Sequence, residues 1–265
     1  MGRAGWTLVC FLVALPGAYA ADAKDSLAQA RLLYNQRRFE AAVTAADRAR
    51  LAPNQADRAD LIAARAYLER FRESAATDDL TNARDRLRRV NPQRFDARER
   101  VEFIIGLGEA LYFDQSYGAA ADVFESVLEA GDGLPAASRE RVLDWWASAV
   151  DRDAWPRPAV ERQIAYNRIR GQMRDGLALY PGSATAAYWL AAAARAQGDI
   201  KAAWDAAEAG WVRARLTSDH GAALRADLDR LMLRAIVPER AKVLAQPSDN
   251  LRLEWETFKE RWKSD

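Results

Sequence analysis

Residues 104–128, with the sequence IIGLGEALYFDQSYGAAADVFESVL, decide the fold of this chain. Their first half places apolar and small residues at the spacing of one helix face, namely Leu107, Gly108 and Leu111. A polar break at residues 114–116 then turns the chain, and the same spacing returns in Tyr117, Ala120, Phe124 and Val127. The pattern predicts two helices joined by a short turn and packed closely where the small residues meet.

The same two-helix pattern recurs between regularly placed prolines. These junctions lie at Pro53, Pro92, Pro135 and Pro181, at intervals of 39, 43 and 46 residues. Because proline cannot continue a helix but is tolerated where one ends or the next begins, each junction separates successive helix pairs. A period of this length is typical of helical repeat proteins.

The unit at residues 104–128 resembles the tetratricopeptide repeat. In that family a small residue lies near the middle of the first helix, an aromatic residue opens the second, and alanine follows three residues later. Two further units share this spacing, with Ala30, Phe39 and Ala42 in one and Ala191, Ile200 and Ala203 in the other. The resemblance covers most of residues 25–216, and the intervening units, residues 56–91 and 136–180, are assigned from the period alone.

The resemblance implies an all-α fold, an α-solenoid of about five to six antiparallel helix pairs wound as a right-handed superhelix. We predict repeats over residues 21–216 and capping helices over residues 217–265, with an interruption at Pro238. The last helix carries an apolar stripe, namely Leu251, Trp255, Phe258 and Trp262. Because a repeat stack needs a terminal helix over its last apolar face, capping is the favoured interpretation and docking onto another chain is the alternative.

Residues 1–20 are typical of a secretory signal peptide. Arg3 supplies a positive charge, residues 6–15 form an apolar stretch, and small residues precede a predicted cleavage site after Ala20. These features predict a periplasmic or secreted protein. A retained anchor is the less favoured alternative, because the apolar stretch is shorter than the roughly 20 residues that span a bilayer.

Composition excludes several classes of chemistry. Cys10 is the only cysteine and His220 the only histidine, so the chain after the signal lacks the residues of His/Cys zinc sites, thiol nucleophiles and disulfides. Basic and acidic residues number 39 and 38, a balance that attracts neither nucleic acid nor anionic lipid. The acid pairs at residues 78–79 and 151–153 lie near helix ends, where helix-end electrostatics accounts for them. We therefore expect no cofactor, no metal and no enzymatic activity.

The tetratricopeptide resemblance also implies a binding surface, because the first helix of each unit lines a concave groove in that family. The positions that it assigns to the groove are Arg31, Tyr34, Asn35, Glu109, Tyr112, Phe113 and Arg195. Ordinary packing between helices is the alternative for these residues. The adjacent tryptophans at 145–146 point about 100° apart, so both are buried only in a helix covered on two sides. With less cover, Trp146 becomes an exposed anchor in the groove.

Together these features predict a non-catalytic scaffold of the bacterial cell envelope that binds a partner protein or peptide in the groove. One alternative is a carbohydrate- or peptidoglycan-associated binding module, or a hydrolase that uses carboxylates alone, on the same solenoid. Another is a structural protein that forms oligomers through its C-terminal helix. We expect neither nucleic-acid binding nor membrane insertion after signal cleavage, and the sequence leaves the oligomeric state open.

Overall fold

The computed structural model describes the backbone of residues 16–130 and 134–263, and the side chains of residues 25–130 and 134–263. All regular secondary structure in these ranges is helical, which confirms the predicted all-α class. Within the same ranges no helix combines the length and the apolar character that crossing a membrane requires. The predicted signal peptide falls largely outside the described residues, so export and cleavage after Ala20 stay predictions.

The chain divides into two compact units, residues 1–106 and 107–265, and the division falls within one helix. The helices of the first unit are α1 (Pro16–Asn35), α2 (Phe39–Ala49), α3 (Ala56–Ser74), α4 (Thr77–Arg89) and the greater part of α5 (Ala97–Phe113). The second unit contains α6 (Tyr117–Glu129), α7 (Ala136–Ala154), α8 (Ala159–Leu179), α9 (Ala184–Ala196), α10 (Ile200–Arg213), α11 (Ala222–Leu231), α12 (Val237–Leu244) and α13 (Ser248–Arg261).

Consecutive helices pack on one another, for example α1 on α2, α3 on α4, and α9 on α10. The connections inside these pairs are only a few residues long, which makes the paired helices antiparallel. At residues 104–128 the predicted turn is confirmed: α5 ends at Phe113, Gln115 adopts a positive φ of 62°, and α6 begins at Tyr117. The two segments assigned from the period alone, 56–91 and 136–180, contain the helix pairs α3–α4 and α7–α8.

Alanine dominates the core of the first unit. The fully buried alanines of α1, α2 and α3 include Ala30, Ala42, Ala46 and Ala63. Because a methyl side chain lets two helix backbones approach closely, these positions hold the three helices together while Tyr34 packs at the edge of the cluster.

A buried carboxylate also ties three helices of the first unit together. Asp60 of α3 is 3% exposed, and its two oxygens accept hydrogen bonds from Arg50 at 3.0 Å and Arg86 at 2.8 Å. Arg50 follows α2, and Arg86 of α4 also pairs with Asp47 of α2. Since an unpaired buried charge is costly, this network fixes the positions of α2, α3 and α4 relative to one another.

Helix α7 packs against α9, and α9 packs against α11, so these three helices lie side by side in the second unit. Side-chain bonds between them and to α12 join residues 44 or 45 positions apart. The pairs are Glu140 with Thr185, Asp144 with Trp189, and Arg195 with Glu239. These separations are close to the 46 residues between the Pro135 and Pro181 junctions.

The C-terminal helix packs on the second unit through an aromatic cluster. Trp255 of α13 is fully buried, and its ring centroid lies 5.3 Å from that of Trp211 and 6.3 Å from that of Trp204, both on α10. Its indole Nε1 donates to Asp229 of α11 at 2.9 Å, and Lys259 pairs with the same carboxylate. Helix α13 therefore covers the apolar surface of α10 and α11 through the indole ring of Trp255.

The predicted interruption at Pro238 is wrong. Helix α11 continues into α12 through a π-helical turn, Met232–Ile236, and Pro238 lies in the first turn of α12. Proline clashes with the carbonyl group four residues earlier in a regular α-helix, and a wider turn there relieves the clash. The chain therefore continues along the helix past the proline.

Candidate binding surface

The lower-numbered helix of each pair carries the candidate surface of the second unit. The register of α9 is set at its start, where the Ser183 hydroxyl accepts a hydrogen bond from the backbone N–H of Ala186 at 3.1 Å. Tyr188 and Trp189 follow within the first two turns, and Trp189 lies beside Asp144 of α7. Local capping thus positions these aromatic side chains next to α7.

An aromatic cluster lies where the end of α5 meets α7. The ring centroid of Trp145 is 4.7 Å from that of Tyr112 and 5.5 Å from that of Phe113, both in edge-to-face geometry. Burial raises the pKa of the Tyr112 hydroxyl, and the neighbouring Arg152 guanidinium opposes the shift. The phenol is therefore neutral near pH 7 and can donate a hydrogen bond, while all three rings remain partly exposed.

The surface continues from α7 to α9 through an exposed hydrogen bond. The indole Nε1 of Trp189 donates to the Asp144 carboxylate at 2.8 Å, and Tyr188 meets the Trp189 ring edge-on at 5.9 Å. Burial raises the pKa of Tyr188, and the nearby carboxylates of Asp227 and Asp144 add to the shift. We call Tyr112, Trp145, Tyr188, Trp189 and Arg195 the aromatic face.

Arg195 closes the aromatic face at its far end. Its guanidinium donates through Nε at 3.0 Å and Nη2 at 2.6 Å to one oxygen of Glu239 on α12. Both side chains are about one-third exposed, at 39% and 35%. The pair is therefore fixed in geometry but still reachable from solvent.

The predicted groove residues of the first unit have different surroundings. Arg31 donates to the buried carboxylate of Glu99 at 2.8 Å, and Arg58 donates to the same oxygen at 2.7 Å. The Arg65 guanidinium lies 4.6 Å from the Tyr34 ring centroid, and Asn35 is exposed at the end of α1. Arg31 therefore already binds an internal carboxylate.

Two predicted groove residues are buried, and their assignment to an accessible surface is corrected. Trp146 is fully buried, because α7 is covered by α6, α8 and α9 and so has cover on more than one side. Glu109 of α5 is 9% exposed. Of the adjacent tryptophans, Trp145 is the one that remains partly exposed.

Three of the four acids considered for a carboxylate-only hydrolase, Asp79, Asp151 and Asp153, bind structural partners. Asp151 accepts a hydrogen bond from the Tyr166 hydroxyl at 2.9 Å, and burial together with this carboxylate raises the pKa of Tyr166 to about 12. Asp153 pairs with Arg157, and Asp79 pairs with Arg70 at 3.2 Å. These contacts assign the carboxylates to helix packing.

The single histidine lies in an exposed turn before α11. His220 has a positive φ of 56°, and the side chain that caps the helix is its neighbour Asp219. The Thr217 hydroxyl and the backbone N–H groups of Ala223 and Gly221 donate to the Asp219 carboxylate and lower its pKa from 3.8 to about 2. The turn is therefore organised by Asp219.

Sequence reasoning missed Tyr188, Trp189 and Asp144 as surface residues. The signal that identifies them is the separation of 45 residues between Asp144 and Trp189, which is close to the 46-residue interval between Pro135 and Pro181. Residues at that separation on equivalent helices become neighbours when the helix pairs stack.

Comparisons with protein-family models, with curated proteins and with solved structures find no match to this chain. The chemistry of the aromatic face itself therefore carries the functional argument. It offers partly exposed rings, a neutral phenol and an ion pair, which are groups that suit recognition.

Proposed function

We propose that this protein is an exported, non-catalytic helical-repeat scaffold that binds a partner protein or peptide on the aromatic face. The proposal includes a tetratricopeptide-like solenoid and a periplasmic or secreted location. The observation that carries it is the row formed by α7, α9 and α11, with side-chain bonds one repeat apart.

The spacing of contacts supports a repeat stack. Each of the side-chain bonds described above between successive helix pairs of the second unit joins residues 44 or 45 positions apart. In a solenoid each repeat touches only its neighbours, so contacts concentrate at one period. The contact of α1 with α3 in the first unit agrees with the same arrangement.

The chemistry of the aromatic face supports protein recognition. Binding energy at protein interfaces is concentrated in Trp, Tyr and Arg residues, and the aromatic face consists of these three residue types. Because its rings and the Arg195 guanidinium are held by contacts within the chain, little side-chain entropy is lost when a partner binds.

Capture of partners from an envelope extract of the producing bacterium tests the proposal. We compare the immobilised protein with Arg195→Glu and with Lys201→Glu as the matched control. Each substitution reverses one charge and breaks one ion pair, with Glu239 on α12 or with Asp205 on the exposed side of α10. Mass spectrometry should show polypeptides retained by the wild type and the control but reduced at least about tenfold with Arg195→Glu.

Two results contradict the proposal. Equal retention by Arg195→Glu and the wild type shows that the aromatic face does not bind the partner. Hydrolysis of peptidoglycan or peptide by the purified chain alone would show that the protein is an enzyme. Far-ultraviolet circular dichroism serves as the control that each variant is folded.

A further inference from the structure

A cavity of about 320 Å³ lies in the second unit, on surfaces that the aromatic face does not use. Its walls come from the start of α6, the end of α7, the loop after α7 and the first three turns of α8. None of the residues that line it belongs to the aromatic face.

Small and aliphatic side chains form much of the cavity wall. The apolar lining consists of Ala121 of α6, Val150 of α7, and Ile164 and Ala165 of α8. Gly118 adds no side chain to this wall, and a Cβ there would lie 3.2 Å from Oδ1 of Asp153. The space between α6 and α8 is thus kept open by small residues.

Large apolar side chains are exposed around this cavity. Ile164 is 65% exposed at its wall, and Val160, one turn earlier on the same face of α8, is 73% exposed. Trp155 is 78% exposed in the loop that also carries Arg157 of the cavity wall. Clustered exposed apolar groups beside a concavity mark an interaction site, since leaving them in water is unfavourable.

Acidic groups outnumber basic groups at the rim. Arg157 lies between Asp153 and Glu161, and it pairs with both carboxylates. Arg168 of α8 similarly pairs with two carboxylates of α6, Glu125 and the more distant Asp122 at 3.9 Å. Each arginine is therefore paired within the chain, and carboxylates outnumber guanidinium groups among the side chains that line the cavity.

We propose that this cavity binds a basic amphipathic segment of a partner protein. An apolar side chain of that segment fills the space between α6 and α8 and covers Ile164 and Val160. A lysine or arginine of the same segment extends its methylene stem along this apolar wall and places its charge beside Asp122 or Glu161.

Peptide binding measured by fluorescence anisotropy tests the proposal on the full chain. The probes are three labelled amphipathic peptides of equal length that combine leucine with lysine, with glutamate or with glutamine. We expect the lysine peptide to bind most tightly at low salt and more weakly as salt screens the carboxylates. The double variant Asp122→Asn/Glu161→Gln should weaken that binding at least about fivefold.

A charge-matched variant controls for unspecific attraction of the basic peptide. Asp205→Asn/Glu260→Gln also removes two exposed carboxylates, on α10 and α13, and should leave the affinity within about twofold of the wild type. Ile164→Gln removes the exposed apolar wall without a charge change and should weaken the lysine peptide at least about fivefold. Asp122 and Glu161 are themselves 78% and 52% exposed, so the test variants keep their fold.

Three results overturn the proposal. Tighter binding of the glutamate peptide shows that the arginines recognise an anion instead. Equal weakening by the control pair shows general electrostatic attraction, and absence of lysine-peptide binding shows that the cavity does not take this partner. None of these results bears on the aromatic face, whose partner is tested separately.

Discussion

The packing of Phe124 against Gly108 predicts how a substitution at Gly108 changes the stability of the protein. Phe124 of α6 is fully buried, and a Cβ added to Gly108 of α5 would lie 2.6 Å from its Cε1 and 2.8 Å from its Cζ. No real Cβ approaches a ring that closely, and close packing around a fully buried ring resists its rotation. Gly108→Ala must therefore displace a helix or the ring.

The expected magnitude combines two opposing effects. Overpacking a core by one methyl group costs about 1–3 kcal/mol. Replacing glycine by alanine inside a helix raises the free energy of unfolding by about 0.5–1 kcal/mol, because alanine loses less conformational entropy on folding and has the higher helix propensity. The difference of these terms is about 0–2.5 kcal/mol, and because the added Cβ would lie 2.6 and 2.8 Å from two atoms of a fully buried ring, we expect the free energy of unfolding to fall by about 1–2 kcal/mol within that range.

Gly171→Ala is the matched control for this substitution. Gly171 lies in the middle of α8, and among the described residues no atom outside its own stretch of helix would lie within 4 Å of an added Cβ. Only the helix-propensity effect acts there, so the substitution should stabilise the protein by about 0.5–1 kcal/mol. Thermal unfolding followed by circular dichroism should separate the two variants by roughly 4–10 °C in Tm.

One outcome refutes the packing argument. If Gly108→Ala stabilises the protein as much as Gly171→Ala does, the close approach of α5 and α6 does not exist in solution. Phe124→Leu supplies a further check, because the penalty of Gly108→Ala should largely disappear when the ring is replaced.

Three further predictions concern charge, aromatic packing and pH. Asp60→Asn should lower the free energy of unfolding by about 3 kcal/mol in urea titrations, because it leaves two arginines without their buried partner. Asp47→Asn removes a half-exposed carboxylate and should lower the free energy of unfolding by less than about 1 kcal/mol. An effect equal to that of Asp60→Asn would contradict the network. Trp255→Ala should cost about 3–5 kcal/mol and reduce the near-ultraviolet circular dichroism, whereas Trp262→Ala at a half-exposed ring should stay within about 0.5 kcal/mol. The contacts of Asp219 lower the pKa of its carboxyl group from 3.8 to about 2, so its ionised form stabilises the folded state at pH values above 3.8. This contribution to stability is lost as the pH falls from 3.8 to about 2. Carboxyl NMR titration should place its midpoint near 2, and a midpoint at the ordinary value of 3.8 would exclude the capping contacts.

Much of the local structure was predictable because its signals are local. The apolar spacing and polar break at residues 104–128 fixed both helices and the turn between them, and the proline junctions located the helix pairs on either side. Pro238 shows the limit of such signals, since a π-helical turn absorbs the residue and the helix continues. The backbone can accommodate this proline within a continuous helix, and the neighbouring residues by themselves do not predict that outcome.

The composition of the binding surface was only partly predictable. Tyr112 and Arg195 are partly exposed where the repeat phase placed them, but Trp146 is buried and Trp145 takes the surface position. Two adjacent tryptophans differ only by rotation about the helix axis. The packing of α6, α8 and α9 on α7 decides which indole is buried, and the sequence around the two tryptophans does not contain that information.

The sequence by itself determined the helices, their pairing and the period at which they recur, because these follow from hydrophobic spacing and proline over a few residues. Tertiary structure alone decided that Asp60 lies buried between two arginines and that acids gather around an apolar cavity beside α8. In the sequence these charges resemble any solvated helix surface. Only the packing of the helices on one another sets their burial and their partners.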